Sequence, residues 1–426
     1  MRVMPLTCVG LAVACSIACS TNKGASEPTV RQEGPSGIAA GDESTCLLTQ
    51  AGSAYCWGAD TSGALGDGTS VGVELTPIAV AGNHTYTALS GAEFFRCGLS
   101  GELPLCWGQT LNDGPGSLYT DSVPASLTAG LPPLAAISAG PSHACGLTKA
   151  GIAYCWGENY FGQLGIGDTL RHPSAVAVAG GMRWTAISVG FWHTCALTAD
   201  STTFCWGENL VGELAASPDS VPLSTTPLAI AGAPKFASLS AGSLYTCGLT
   251  AAGALYCWGW NYAGNLGDST TTNTEIPTPV GQPNLVFRSV ITSSANSIAL
   301  TTCGITTANA VYCWGWGGYG QLGNPSAPIV SCDSVTTNPV PCSSLVPFPV
   351  AGGLAFETVS IGTTHACGVT LSSTAYCWGT NDHGQLGDGT TQSSTVPVAV
   401  SGTLVVAARV KATAQQRRTV IPIASR

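Results

Sequence analysis

Charged side chains are scarce: Asp, Glu, Lys and Arg make up 9% of the 426 residues. Ordinary soluble domains carry roughly a quarter. That shortage excludes a coiled coil, which needs Glu, Lys and Arg, and a disordered chain, which combines low hydrophobicity with high charge. Past the first 20 positions no run of about 18 apolar residues occurs, which excludes a polytopic helical membrane protein. No segment shows a 3.6-residue apolar period, which removes helical repeat arrays. Also missing are a Gly-x-x-x-x-Gly-Lys phosphate loop, a His-Glu-x-x-His pair and a Gly-x-Ser-x-Gly elbow, so catalysis finds little support. Basic residues are fewest of all. Positions 36–405 hold 6 Lys/Arg against 21 Asp/Glu, and so acidic a body repels phosphate backbones, so no nucleic-acid partner is expected. Five of the remaining cations (Arg409, Lys411, Arg417, Arg418, Arg426) sit in the last 18 residues, with no acid. Residues 413–426 are expected to fray as a solvated basic tail.

Glycine (54), cysteine (19) and tryptophan (11) are plentiful. The start reads as an export signal. Arg2 precedes an apolar, small-residue stretch from Leu6 to Ala18, too short to span a bilayer. It resembles a bacterial lipoprotein signal, in which a small-residue triplet precedes a lipidated cysteine. Ser16-Ile17-Ala18 before Cys19 fits best, with Ala12-Val13-Ala14 before Cys15 as the alternative. Ser20, rather than Asp, after Cys19 implies outer-membrane sorting. The expectation is therefore a signal peptide over 1–19, a flexible tether over 20–35 and an exported protein held to the membrane by its N-terminal lipid alone.

The rest is one unit written seven times. Cys-Trp-Gly begins at Cys56, Cys106, Cys155, Cys205, Cys257, Cys313 and Cys377. A period near 50 residues marks a repeat architecture and overrides a domain count from length. Each copy contains four short alternating runs bounded by Gly, Pro, Asn and Asp, the signature of antiparallel strands. Four strands per unit predict an all-β, seven-bladed β-propeller over residues 36–412, with one blade per unit.

A cysteine precedes each Cys-Trp-Gly by ten residues, once by nine. The pairs are Cys46–Cys56, Cys97–Cys106, Cys145–Cys155, Cys195–Cys205, Cys247–Cys257, Cys303–Cys313 and Cys367–Cys377. A three-residue turn Lys149-Ala150-Gly151, with Gly151 in the left-handed region, sets Thr148 opposite Ile152. Counting outward places Cys145 opposite Cys155 on a non-hydrogen-bonded site, where side chains lie closest. The nine-residue copy keeps this register only with a two-residue Gly101-Glu102 turn, for which type II′ is expected. Ser100 then faces Leu103, and Pro104 falls where its missing N–H costs nothing. Cys332 and Cys342, in an insertion, are expected to form an eighth bridge. With Cys19 lipidated, no mature cysteine is left over, as suits an oxidising compartment. Spacings of nine or ten do not suit zinc, which favours pairs two to four apart, so no metal or cofactor is expected. His143, His193 and His365 share a strand face with a cysteine and read as packed, hydrogen-bonded residues.

These units resemble the repeats of the regulator of chromosome condensation family. The resemblance rests on His143-Ala144-Cys145-Gly146-Leu147, Cys155-Trp156-Gly157-Glu158-Asn159 and Gly162-Gln163-Leu164-Gly165. The last element recurs at Gly320–Gly323 and Gly384–Gly387, with variants at Gly63, Gly212 and Gly264. The second unit lacks it and reads Leu111-Asn112-Asp113-Gly114-Pro115-Gly116. The resemblance implies a seven-bladed propeller, and the paired cysteines resemble exported bacterial members. Leu404 to Lys411 alternates weakly and is expected to pair beside Gly37–Ala40, closing the ring. Asp67, Asp168, Asp268 and Asp388 read as loop acceptors.

Function is sought where the frame changes identity. Phe94, Phe95, Phe191 and Trp192 precede the first cysteine of their units. Tyr160, Phe161, Trp260, Tyr262, Trp316 and Tyr319 follow Cys-Trp-Gly. Aromatics on loops held by a rigid ring suit a protein-binding surface. The reading is a monomeric, non-enzymatic scaffold for an unknown protein partner. An enzyme inhibitor, by resemblance to a secreted β-lactamase-inhibiting propeller, is one alternative. A polysaccharide-active lyase or hydrolase is another, and paired acids with an arginine would favour it.

Overall fold

The computed structural model describes residues 37–109, 120–126, 130–281, 284–294, 300–328, 330–331 and 341–402. The proposed signal, tether and basic tail, the Leu111–Gly116 variant, Cys332 and the Leu404–Lys411 segment lie outside them. Seven antiparallel sheets follow one another along the chain. Blade 4 shows the pattern: an inner strand Trp184–Val189, a second His193–Thr198, a third Thr203–Glu208 and an outer Leu223–Ala229, paired in that order. Blade 6 gains a fifth, outermost strand, Val330–Ser331, on Pro341–Pro349. This is where the insertion enters. A single 3₁₀ turn, Thr61–Gly63, is the one helical element among the described residues.

The cysteine register is as the spacing requires. All seven pairs are opposite one another on the second and third strands, with Cα atoms 4.0–4.1 Å apart. Each bridge closes a short hairpin and contributes roughly 2–3 kcal/mol in the chain-entropy view. Thr148 N–H donates to Ile152 O at 3.0 Å, and Gly151 has φ +75°. In blade 2, Ser100 faces Leu103 and Leu99 faces Pro104. The turn type differs from expectation. Gly101 (φ +57°) and Glu102 (φ +71°) are both left-handed, which makes it type I′, the turn whose twist matches the flanking strands.

The seven motif tryptophans are fully buried between blades. The glycine that follows each lets the backbone bend. At Gly207 (φ +107°) a Cβ would overlap Trp192 O, and that closeness allows Glu208 N–H to donate to Trp192 O at 3.0 Å. The outer strands His172–Ala177, Thr274–Pro279 and Ser394–Ala399 hold only half-buried and exposed residues, as suits strands at a solvent-facing edge. Among the described residues, ring closure runs through the N-terminal blade itself. Ile38–Ala40 is the inner strand of blade 1, paired to Ser44–Leu48. Ala40 N–H donates to Ser360 Oγ of blade 7 at 2.9 Å. Trp57 Nε1 donates to Gln385 O, also of blade 7, at 2.9 Å.

The loop face as candidate functional site

Antiparallel pairing sends the loop after the inner strand and the loop after the third strand to the same end of every blade. Backbone bonds tie the two together: Gln109 N–H to Phe94 O, Glu158 to Ser142, Glu208 to Trp192, Trp260 to Leu244, Trp316 to Leu300 and Thr380 to Thr364, all at 2.9–3.0 Å except the fifth, at 2.8 Å. The inner loops also bond around the ring. Ser142 Oγ donates to Phe191 O (2.7 Å), Phe191 N–H to Gly242 O (3.1 Å), Ser243 Oγ to Ser293 O (3.3 Å) and Ser293 Oγ to Gly362 O (2.8 Å). Thr363 N–H continues to Gly41 O (3.1 Å), and Asp42 N–H to Glu93 O (3.3 Å). Loops fastened in this way are a rigid platform.

The candidate aromatics fall on this end, but not equally in the open. Tyr160, Tyr262 and Tyr319 are 50%, 57% and 49% exposed, and Leu210, at the same loop tip of blade 4, is 62% exposed. Blades 3 to 6 thus carry an unbroken arc of protruding apolar tips. Phe94, Phe161, Phe191, Trp192, Trp260 and Trp316 are half-buried behind it. Phe161 of blade 3 packs on Trp192 of blade 4 with ring centres 5.2 Å apart, and Trp192 meets Phe191 edge-on at 4.6 Å. Trp260 stacks with Tyr262 at 6.0 Å, and Trp316 lies 6.4 Å from Tyr319. Phe95 needs correction as a surface candidate. It lies in the strand Phe95–Ser100 and faces the core with Ile137 and Trp156.

Where blades 7, 1 and 2 meet, the same platform is acidic. His383 occupies the loop position that Phe161 holds in blade 3, and Glu43 the position of Trp192. Their side chains approach to 3.6 Å. Asp42 and Glu93 stand beside them, half-buried. Burial, and then the charge of Asp42, lifts the Glu93 carboxyl to about 7. Beneath lies Arg96, wholly buried, whose guanidinium donates to the carbonyls of Ala92, Glu93 and Phe95 and to Ser44 Oγ (3.0–3.1 Å), and to Ser44 O at 3.2 Å. Burial lowers its pKa to about 10.

The histidines are structural, as their spacing suggests. His143 Nε2 meets Thr194 Oγ1 of the next blade at 2.7 Å, His193 meets Thr246 at 2.8 Å and His365 meets Thr45 at 2.7 Å. Each threonine hydroxyl also donates to a loop carbonyl: Gln163, Glu213 or Gln385, at 2.9, 3.5 and 3.1 Å. With that proton committed, the histidine Nε2 must donate. Burial holds all three imidazoles neutral, near 3. The same carbonyls accept the next blade's tryptophan Nε1 at 2.9 Å: Gln163 O from Trp206, Glu213 O from Trp258 and Gln385 O from Trp57. The looked-for aspartates serve their loops. Asp67, Asp168, Asp268 and Asp388 each accept a backbone N–H two residues on, at 2.8–2.9 Å.

Three sets escape a reading of single motifs. Asn159, Asn209, Asn261 and Asn381 brace the long loops by accepting the N–H of Leu164, Leu214, Leu266 and Leu386 at 2.9–3.0 Å. Inner-strand serines 90, 138, 188, 240 and 360 each accept a backbone N–H from the next blade's inner strand at 2.9–3.1 Å. Glu208 and Glu213 form a buried acid pair, 1% and 0% exposed. Both Glu208 oxygens and Glu213 Oε1 lack hydrogen-bond partners among the described residues. Burial, then the neighbouring Glu213, lifts Glu208 to about 8; burial lifts Glu213 to about 7, against the pull of nearby backbone N–H groups. These are paired acids, but they are sealed from solvent and lie in a different blade from Arg96, so they do not form an accessible site for a glycan. Among the described residues no cluster of three or more His, Cys, Asp or Glu could hold a metal.

Comparison with known proteins agrees with this architecture. Two models of the regulator of chromosome condensation (RCC1) repeat match the chain. One covers residues 150–197, 252–300, 309–369 and 373–414, the other 36–64, 135–163, 184–213, 236–265 and 356–385. The ultraviolet-B receptor UVR8 of Arabidopsis thaliana is 27% identical over 83% of this chain and 78% of its own length. The human E3 ubiquitin-protein ligase HERC2 is 28% identical over 86% of this chain, which spans only 6% of that protein. Among solved structures, a chain of the Kap60 complex with yeast RCC1 (Prp20) superposes with TM-score 0.72 at 17% identity, covering 92% of each chain. Prp20p of Saccharomyces cerevisiae gives 0.71 at 18%, covering 88% of each. With the repeat models together matching more than half of its length, in a ring of seven antiparallel blades, six of four strands and blade 6 of five, the chain belongs to the RCC1 repeat family.

Proposed function

We propose that this protein is a non-enzymatic protein-binding scaffold: an exported, lipid-anchored monomeric propeller that engages its partner through the loop face. The observation that carries the reading is the arc of exposed Tyr160, Leu210, Tyr262 and Tyr319 on four consecutive blades, set on a hydrogen-bonded platform. Exposed aromatic anchors with low rotamer entropy are the usual cores of protein interfaces. Protein binding by structural relatives supports the reading: yeast RCC1 (Prp20) is seen bound to Kap60, and Prp20p binds Gsp1p and histones. Seven disulfides support folding in an oxidising compartment, and the Ser-Ile-Ala-Cys sequence ending at Cys19 supports lipidation there.

A photo-crosslinking phenylalanine analogue at position 160 or 262 is expected to capture a discrete partner in cells, whereas the same analogue at the exposed turn residue 252, on the opposite end, captures none. Equal capture from 252, or none from the loop face, would overturn the reading. Metabolic labelling with palmitate is expected to be lost in Cys19→Ser; labelling lost only in Cys15→Ser moves the anchor, and no labelling of the parent protein removes it.

A further inference from the structure

The loop face has a chemical polarity that selects among partners. Six Lys/Arg occur among the described residues. Four of them sit at the turn end. Lys149 pairs with Glu102, Lys235 with Asp200, Arg183 donates to Ala150 O and Arg288 to Asn309 Oδ1. Arg96 is wholly buried. Arg171, in the long loop of blade 3, is the one cation left near the loop face, and it lies within electrostatic reach of Glu158. The loop face instead carries Asp42, Glu43, Glu93 and Asp382 in one sector, spanning the junctions of blades 7, 1 and 2. The apolar tips of blades 3 to 6 occupy the other sector, which also holds Glu158 within electrostatic reach of Arg171 and the exposed Asp219 in the long loop of blade 4.

We propose that the loop face docks a cationic polypeptide segment carrying apolar anchors, its Lys or Arg side chains over Asp42, Glu43 and Asp382 and its anchors among Tyr160, Leu210 and Tyr262. This deepens the scaffold reading and rests on it. A purely apolar partner would leave the acidic sector desolvated and unpaired, which is costly. An acidic partner or a polyphosphate would be repelled by it. A cationic segment satisfies both sectors, with charge steering the encounter and the aromatic arc holding the complex.

The test uses the full chain and a labelled, unstructured peptide of alternating Arg and Leu, followed by fluorescence anisotropy. Saturable binding is expected, weakened roughly tenfold by Glu43→Gln with Asp382→Asn, and roughly tenfold by Tyr160→Ser with Tyr262→Ser. These are surface changes that leave the fold intact, which circular dichroism checks. Replacing the peptide's Arg by Glu, or its Leu by Ser, is expected to abolish binding. The proposal is overturned if the Glu peptide binds as well, or if Glu102→Gln with Asp200→Asn on the turn face weakens binding as much. It is also overturned if Arg417→Gln with Arg418→Gln tightens binding, since that outcome assigns the face to the chain's own residues 403–426. Crosslinks from positions 160 and 262 without peptide binding would reject the cationic partner and leave the scaffold reading standing.

Discussion

The seam between blades 3 and 4 and the seam between blades 4 and 5 use the same lock with different side chains around it. In the first, Gln163 O accepts Trp206 Nε1 and Thr194 Oγ1, both at 2.9 Å, and Gly165 turns left-handed against Trp206, where a Cβ would lie 2.6 Å from Nε1. In the second, Glu213 O accepts Trp258 at 2.9 Å, but Thr246 is stretched to 3.5 Å. Glycine is replaced there by Ala215 at φ +53°, and Glu213 stands where Gln163 stood, facing Glu208. The lock survives because its acceptor is a backbone carbonyl, which any residue supplies. What varies is the cost of the side chain attached to it, and the 4/5 seam carries more of that cost.

The largest effect is expected from breaking the sound seam. Thr194→Val removes the donor to Gln163 O and the acceptor for His143, leaving buried groups unsatisfied at about 2–3 kcal/mol. Thr246→Val, on the already stretched bond, is expected to cost less. Urea midpoints of the two variants compare them, and equal losses would dissolve the distinction between the seams.

Next in size is pH. Glu208 and Glu213 keep their protons in the ring up to about 8 and about 7, but ionise near 4.5 once the chain unfolds. The unfolded chain therefore releases protons that the folded one retains, and this pair lowers stability progressively as pH rises from about 4.5 to 8. Glu213→Gln, which restores the residue of blades 3, 6 and 7, combined with Glu208→Gln, is expected to flatten the melting temperature between pH 6 and 8.5. An unchanged pH slope would remove the acid pair as its source.

The smallest effect is expected at Ala215. Ala215→Gly relieves a left-handed alanine and should raise stability by about 1 kcal/mol, read as a rise in the denaturation midpoint; a loss would mean that the alanine methyl contributes packing that outweighs its backbone strain.

Much of this is legible in the sequence. The spacing of Cys97 and Cys106 demanded a shorter turn, and Gly101-Glu102 provides one. Its type differs from the expected one because Glu102 takes a positive φ that is rare for its side chain. The seams were legible too, but only by reading across units. The residue two before a first cysteine matches the residue one before the next unit's: His143 with Thr194, His193 with Thr246, Tyr245 with Thr302, His365 with Thr45, Ser44 with Arg96, and apolar Phe95 with Ala144. A search within single motifs misses such pairing. Phe95 shows why its neighbour's exposure does not carry over: adjacent strand residues point to opposite faces, so Phe94 edges the loop while Phe95 enters the core. Glu208 repeats the acid that blade 3 carries as Glu158, and Glu213 stands where other units place Gln, Asn or Ala, but nothing in the string of letters tells whether such acids face water.

Every described bridge joins two cysteines that are consecutive in the chain, inside one hairpin and never between blades. Oxidation can therefore proceed vectorially: each staple closes as soon as its own ten-residue stretch emerges, with no need to wait for a distant thiol. The same locality lets a whole unit be duplicated or deleted by recombination without stranding a sulfur, so the number of blades can drift while the covalent pattern stays correct.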